Sequence, residues 1–315
     1  MKNSTKIALS VSIAILLIAG AIANKKQEVK NAAPTVAVTT FSLYDVVKHV
    51  SGDTLNIVSI LPFGVDPHSY EPTPRLVADI EKSTLVVYSG AGLEPWIHGF
   101  EFKNKVIDMS RHVSLRKLGL EESCERDHHH DDEKRDEVHE AFDPHYWLNF
   151  SNMQKATNVI TKELIAISPK NEKLYTENRD AYLLMLKNLD IEFKNKLSTC
   201  KHDVIVVNHN AFGYLSDEYG FGVESLNGFS PEAQSNAKNI IRLIQVIKER
   251  NVSTVFFESF ASDRAIKGVA KEANTTVDVL QALGNITADE AKAKLTYEDI
   301  MKENLVKLSE ALDCR

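Results

Sequence analysis

The sequence predicts an α/β protein of two lobes, each built on a mainly parallel four-stranded sheet, joined by one long rigid α-helix. Three observations carry this. Short β-rich apolar runs come in two series of four, and amphipathic segments alternate with them, the pattern of βαβ units. Between the series, one apolar helical face continues for about 29 residues. At 315 residues the chain is long for one core and comfortable for two.

Taken in order, Lys2 and Lys6 precede an apolar stretch, Ile7 to Ala23, broken only by Ser10, Ser12 and Gly20. It ends in Ala21-Ile22-Ala23, a small-x-small pattern suited to signal peptidase. Residues 1–23 are expected to be a signal peptide or an uncleaved anchor, slightly short of the roughly 20 apolar residues of a comfortable span. No cysteine follows the run, so a lipidated N-terminal cysteine is not expected. Residues 24–34 read as a polar linker. The N-terminal lobe, 35–168, holds strand-like runs at Thr35–Thr39, Thr54–Leu61, Leu85–Tyr88 and Lys105–Asp108, then a His- and acid-rich loop over 124–142.

Ser168-Pro169 reads as a helix start, with Ser168 as N-cap and Pro169 in the first turn. Tyr175, Tyr182, Leu186, Leu189, Phe193 and Leu197 then mark one face of a connecting helix over 169–198, roughly 45 Å long at 1.5 Å per residue. The C-terminal lobe, 199–315, repeats the pattern with strand-like runs at Asp203–Asn208, Gly222–Leu226, Thr254–Glu258 and Thr276–Leu280. Ser230-Pro231-Glu232 opens a helix to about Arg250, and Tyr297–Leu312 is helical in pattern.

With 43% apolar and 26% charged residues the composition is globular. Net charge is −7, or −9 once Lys2 and Lys6 leave with residues 1–23. That balance disfavours nucleic acid and anionic membrane surfaces as partners and suits attraction of cations. Three cysteines leave one unpaired if two bond in an oxidising compartment. Cys200 and Cys314 are a candidate pair; Cys124 is then a free thiol or an auxiliary metal ligand. Asn149, Asn251, Asn274 and Asn285 each begin an Asn-x-Ser/Thr pattern.

The chemistry resides in three histidines far apart in sequence: His68 in Asp66-Pro67-His68, His145 in Asp143-Pro144-His145, and His209 in Asn208-His209-Asn210. Neutral imidazole is the commonest metal ligand, and three of them suit a borderline-soft divalent ion such as zinc. His68 and His209 both follow predicted strands, one in each lobe, where ligands bind in open parallel sheets. Pro67, Pro72 and Pro74 stiffen the loop of His68. A lone histidine is ordinarily a satisfied surface or core residue; three in comparable settings point to one shared site. The tract from Asp127 to Glu140 has no apolar face and reads as a solvated loop. In it His128, His129, His130 and His139 lie among seven acids and suit weak metal collection.

Three segments carry a resemblance to a known family. Leu61-Pro62-Phe63-Gly64-Val65-Asp66-Pro67-His68-Ser69-Tyr70-Glu71-Pro72-Thr73-Pro74, Asp143-Pro144-His145-Tyr146-Trp147-Leu148-Asn149 and His209-Asn210-Ala211-Phe212-Gly213-Tyr214-Leu215 resemble signature segments of the metal-binding solute receptors of ABC importers, in their zinc/manganese group. The resemblance runs from about residue 34 to the C-terminus. It implies that His68, His145 and His209 are ligands, that the partner is an ABC permease, and that the charged loop is that of the zinc branch. It implies an exported monomer at the outer face of the cytoplasmic membrane. One departure concerns the fourth ligand, commonly an Asp in a Leu-Asp-Pro-Leu-like segment; here Leu280-Gln281-Ala282-Leu283 places Gln281 there. A neutral amide is a poor zinc ligand, so water, Glu258 or Glu71 are the other candidates. Loss of the carboxylate favours zinc over manganese. An adhesin or metal-sequestering protein on the same fold is the alternative. A zinc hydrolase is disfavoured, because no His-Glu-x-x-His pair or evident base accompanies the histidines.

Overall fold

A computed structural model describes residues 33–100, 102–118, 142–228, 237–258 and 264–315. Within the compact unit Thr35–Arg315 the eight predicted strands form two four-stranded sheets, and every pairing is parallel. The first sheet contains β1 (Thr35–Val38), β2 (Asn56–Ser59), β3 (Leu85–Tyr88) and β4 (Lys105–Asp108), in the order β2-β1-β3-β4. The second contains β5 (Val204–Val207), β6 (Gly222–Ser225), β7 (Thr254–Phe257) and β8 (Thr276–Val279), in the matching order β6-β5-β7-β8. Central strands read as unbroken apolar runs because helices cover both faces: Val36, Ala37, Val38, Leu85, Val86 and Val87 are all buried. In each sheet the chain leaves one central strand for one edge and returns through the other. The crevice at their carboxyl ends is therefore a topological switch point.

Helices α1 (Phe41–Ser51), α2 (Pro74–Ile80) and α3 (Phe150–Ile167) follow in the first half of the chain. Asn149 caps α3 by accepting from the Asn152 amide, and Thr73 caps α2 likewise. The long helix α4 is Glu172–Lys196, with Tyr175, Tyr182, Leu186, Leu189 and Phe193 buried along one face against α1 and α3. The start differs from the sequence expectation. Pro169–Asn171 form a separate 3₁₀ turn, and Ser168 makes no side-chain cap to the backbone; its hydroxyl accepts from Asn171 Nδ2 at 2.9 Å. The proline fixes only its own φ and starts a turn, and the α-helical ladder begins three residues later.

The second half adds α5 (Gly213–Tyr219), α6 (Ala237–Arg250), α7 (Arg264–Ala273), α8 (Ala288–Ala293) and α9 (Tyr297–Ala311). Ser230-Pro231-Glu232, the expected start of α6, lies outside the described residues. Thr287 with Glu290 and Thr296 with Asp299 make capping boxes at α8 and α9. A disulfide joins Cys200 to Cys314, fastening the last residues to the chain that leads into β5. Among the described residues no helix is long and apolar enough to cross a membrane.

Candidate metal centre

The two Asp-Pro-His motifs are the same local device used twice. Asp66 Oδ1 accepts from the His68 amide at 3.0 Å, and Asp143 Oδ1 accepts from the His145 amide at 3.0 Å. Such a side-chain-to-backbone turn, with φ fixed by the intervening proline, presents each imidazole in one direction. Asp143 also holds the ring of His145, its Oδ1 lying 2.8 Å from Nδ1. His209 leaves the end of β5 and Glu258 the end of β7, the two central strands of the second sheet. There the Glu258 carboxylate meets Nδ1 of His209 in a close contact, and both side chains are 2% exposed.

These anchors bring the three rings together. Centroids lie 5.2 Å apart for His68 and His145, 5.4 Å for His145 and His209, and 6.2 Å for His68 and His209. One nitrogen from each ring falls within 4.8 Å of the others, and Nε2 of His68 lies 3.2 Å from Nε2 of His145. Two imidazole nitrogens on one tetrahedral zinc would sit roughly 3.3 Å apart at a Zn–N distance of about 2.0–2.1 Å. The Nδ1–H that His145 donates to Asp143 leaves its Nε2 lone pair facing Nε2 of His68. Burial, and the neighbouring rings of His145 and His68, hold His209 well below the usual histidine range, so it is neutral and ready to ligate. Burial pushes the Glu258 carboxyl well up, and Asp66 adds to the shift. Pro67, Trp147, Ala282 and Gly284 wall the cavity around the rings.

The other candidates separate. Glu258 lines the cavity, but through its contact with His209. Glu71 is exposed and is not brought to the cavity, because its loop turns outward into Thr73 and α2. Gln281 is buried yet faces elsewhere. Its amide nitrogen donates to Glu290 Oε1 at 2.5 Å, tying it to the α8 capping box, and Asn304 clamps its backbone on both sides. His128, His129, His130, His139 and Cys124 lie outside the described residues. Sequence reasoning gave Asp66 and Asp143 no role of their own. The repeated Asp-Pro-His spacing was the available signal.

Comparison with known proteins places this geometry. The sequence model for "ZnuA: Zinc-uptake complex component A periplasmic" matches residues 36–311. The chain belongs to this family. The family consists of zinc-binding solute receptors rather than enzymes. "Zinc-binding lipoprotein AdcA" of Streptococcus pneumoniae is 31% identical over 313 residues, covering 98% of this chain and 61% of that protein. The chain thus spans about three-fifths of the first curated relatives it matches. The Zn(II)-bound ZnuA-like domain of that AdcA superposes with a TM-score of 0.73 at 28% identity, covering 90% of this chain and all of that domain. "High-affinity zinc uptake system protein ZnuA" of Bacillus subtilis is 30% identical over 278 residues, covering 88% of this chain and 87% of the relative. The laminin-binding protein Lmb of Streptococcus agalactiae, described as a bifunctional protein with adhesin and metal-transporting activity, gives a TM-score of 0.76 at 25% identity, covering 89% of this chain and 99% of Lmb.

Proposed function

We propose that this family member captures a zinc ion between its two lobes with His68, His145 and His209 and delivers it to an ABC permease at the outer face of the cytoplasmic membrane. The observation that carries the reading is the convergence of three imidazoles, two of which, His145 and His209, lie against buried acidic side chains. Three neutral nitrogens suit zinc and disfavour manganese, which prefers oxygen donors. Water completes the coordination in this reading, with Glu258 as the residue that orients His209, and no catalytic step is required. The relatives named as zinc-binding and zinc-uptake proteins support it. Adhesion, the second reading, draws on the likeness to Lmb and would add to capture rather than replace it.

The test is competitive titration of the full chain against a chromogenic chelator, with zinc and manganese offered together. One tightly held zinc per chain, abolished in His68→Ala and His209→Ala, is the expected outcome. Unchanged affinity in both histidine variants would overturn the assignment.

A further inference from the structure

The stretch Ala282–Ile286 follows β8 in the second lobe, and its hydrogen bonds run to the first half of the chain. Alternate carbonyls accept: Ala282 O from Trp147 Nε1 at 2.6 Å, Gly284 O from the Phe41 amide at 3.1 Å, and Ile286 O from the Gly64 amide at 2.9 Å. Between them Leu283 sits at φ 56°, a left-handed conformation that a branched side chain adopts only where the surroundings impose it. A Cβ on Gly284 would meet Pro67 Cγ at 3.3 Å and Trp147 Cζ2 at 3.4 Å, so the strip lies close against the proline that precedes His68.

The remaining contacts come from one side chain. Asn285, 3% exposed, donates from Nδ2 to the carbonyls of both Pro62 and Val65, at 2.7 and 2.8 Å. Its Oδ1 accepts from the Ile286 amide at 2.8 Å, which fixes which way the amide faces. Pro62 and Val65 flank Gly64, which sits at φ 74° in the turn leading to Asp66 and His68. One buried amide from the second lobe therefore staples both ends of the turn that presents a histidine from the first. Burial at this depth also leaves Asn285 inaccessible to glycan attachment, despite its Asn-Ile-Thr pattern.

We propose that Asn285 is an inter-lobe latch, a positioning residue that holds the His68 loop closed over the metal ion and so sets how fast the ion leaves. It touches no ligand nitrogen; it acts through the loop. The proposal rests on the capture reading above. Removing both donors deletes two part-buried hydrogen bonds, and at about 0.5–1.5 kcal/mol each this corresponds to a rate change of roughly ten- to a hundredfold.

The experiment loads the full chain with zinc, mixes it with excess chromogenic chelator in stopped flow, and compares Asn285→Asp and Asn285→Ala with the parent. Asn304→Asp serves as the control, because Asn304 makes the same kind of buried clamp on Gln281 within one lobe. The expected result is zinc release faster by tenfold or more in both Asn285 variants, with association unchanged. Cobalt(II)-loaded Asn285 variants keep the visible spectrum of the parent, since the donor set is intact. Asn304→Asp lowers the unfolding temperature without speeding release. Release within twofold of the parent in both Asn285 variants, or no faster than in Asn304→Asp, overturns the latch. A parent chain that holds no zinc defeats the capture reading itself, whereas a zinc-holding parent with unchanged release in the variants defeats the latch alone.

Discussion

Glu258 is the residue whose replacement separates the two roles a carboxylate can play beside this site. Its contact with Nδ1 of His209 is buried on both sides. Glu258→Ala removes the buried group packed against Nδ1 of His209 and frees the imidazole to turn. Outer partners of ligating histidines typically contribute 10–100-fold in metal affinity, or about 1.4–2.8 kcal/mol, which is the loss expected here. Glu258→Gln keeps a polar group of the same size against Nδ1 and should recover most of that loss, to within roughly threefold of the parent. Zinc affinity is read by chelator competition and the ligand set by the visible spectrum of the cobalt(II) form. Affinity of Glu258→Ala within twofold of the parent would refute the positioning role. So would a glutamine variant as weak as alanine with an altered cobalt spectrum, which would make the carboxylate itself a ligand.

Deleting residues 127–140 should leave the affinity of the main site within about threefold, since Asp66, Asp143 and Glu258, the described residues against the three histidines, lie elsewhere in the chain; equilibrium titration checks this. Acidification should weaken zinc binding through the histidine range, because only deprotonated imidazole ligates. His209, already held neutral by burial, contributes little to that loss near pH 6.5, and proton release on zinc binding, read by calorimetry in two buffers, should be correspondingly small at this ring. Joint replacement Cys200→Ser with Cys314→Ser opens a link spanning 114 residues and should cost roughly 3–5 kcal/mol, read as a lowered denaturant midpoint. On α1, Asp45 accepts from the His49 ring and from the Tyr182 hydroxyl, and the Asp45 bond raises His49 to about 9, with Glu298 of α9 adding a smaller pull. A raised folded value means the pairing stabilises fully below the unfolded value near 6.5 and is lost as pH rises through about 9. His49 is partly exposed, so screening keeps the effect modest. The unfolding temperature of the parent should exceed that of His49→Gln by roughly 2–4 °C at pH 6 and match it at pH 10.

Period and composition carried the fold far. Leu85–Tyr88 and Lys105–Asp108 stand in the structure with the bounds their apolar runs suggest, and the buried face of α4 is the one its seven-four-three-four spacing marks. The entrance to α4 was less legible. Ser-Pro is equally compatible with a cap and with a 3₁₀ turn, and the choice depends on Asn171 reaching back to the Ser168 hydroxyl. At the site, three histidines could be chosen because each stands in a short stiff motif. Which of Glu71, Glu258 and Gln281 accompanies them could not, since tertiary contacts decide among the three. Strand order decides it: β5 and β7 are neighbours, so the residues just past their ends, His209 and Glu258, meet. Gln281, past the edge strand β8, is drawn toward Glu290 instead.

The three histidines are held by three different devices, and the difference orders their mobility. His145 has its amide and its ring fixed by one buried carboxylate, Asp143, which in turn lies 3.6 Å from the Arg116 guanidinium. His209 is fixed at a strand end by a second buried acid. Both rings sit in the interior, each packed against a buried acidic side chain. His68 is half-buried and takes its place from a turn, whose hold on the second lobe is the Asn285 amide together with the strip around it. Breaking those bonds strands only neutral carbonyls, each of which water can satisfy once the loop lifts. The cheapest opening of the cluster is therefore on the side of His68, with His145 and His209 remaining as a preformed two-nitrogen seat. On the proposed capture, an ion leaving the site loses His68 first, and the loop that carries that residue is the element whose lifting opens the cluster.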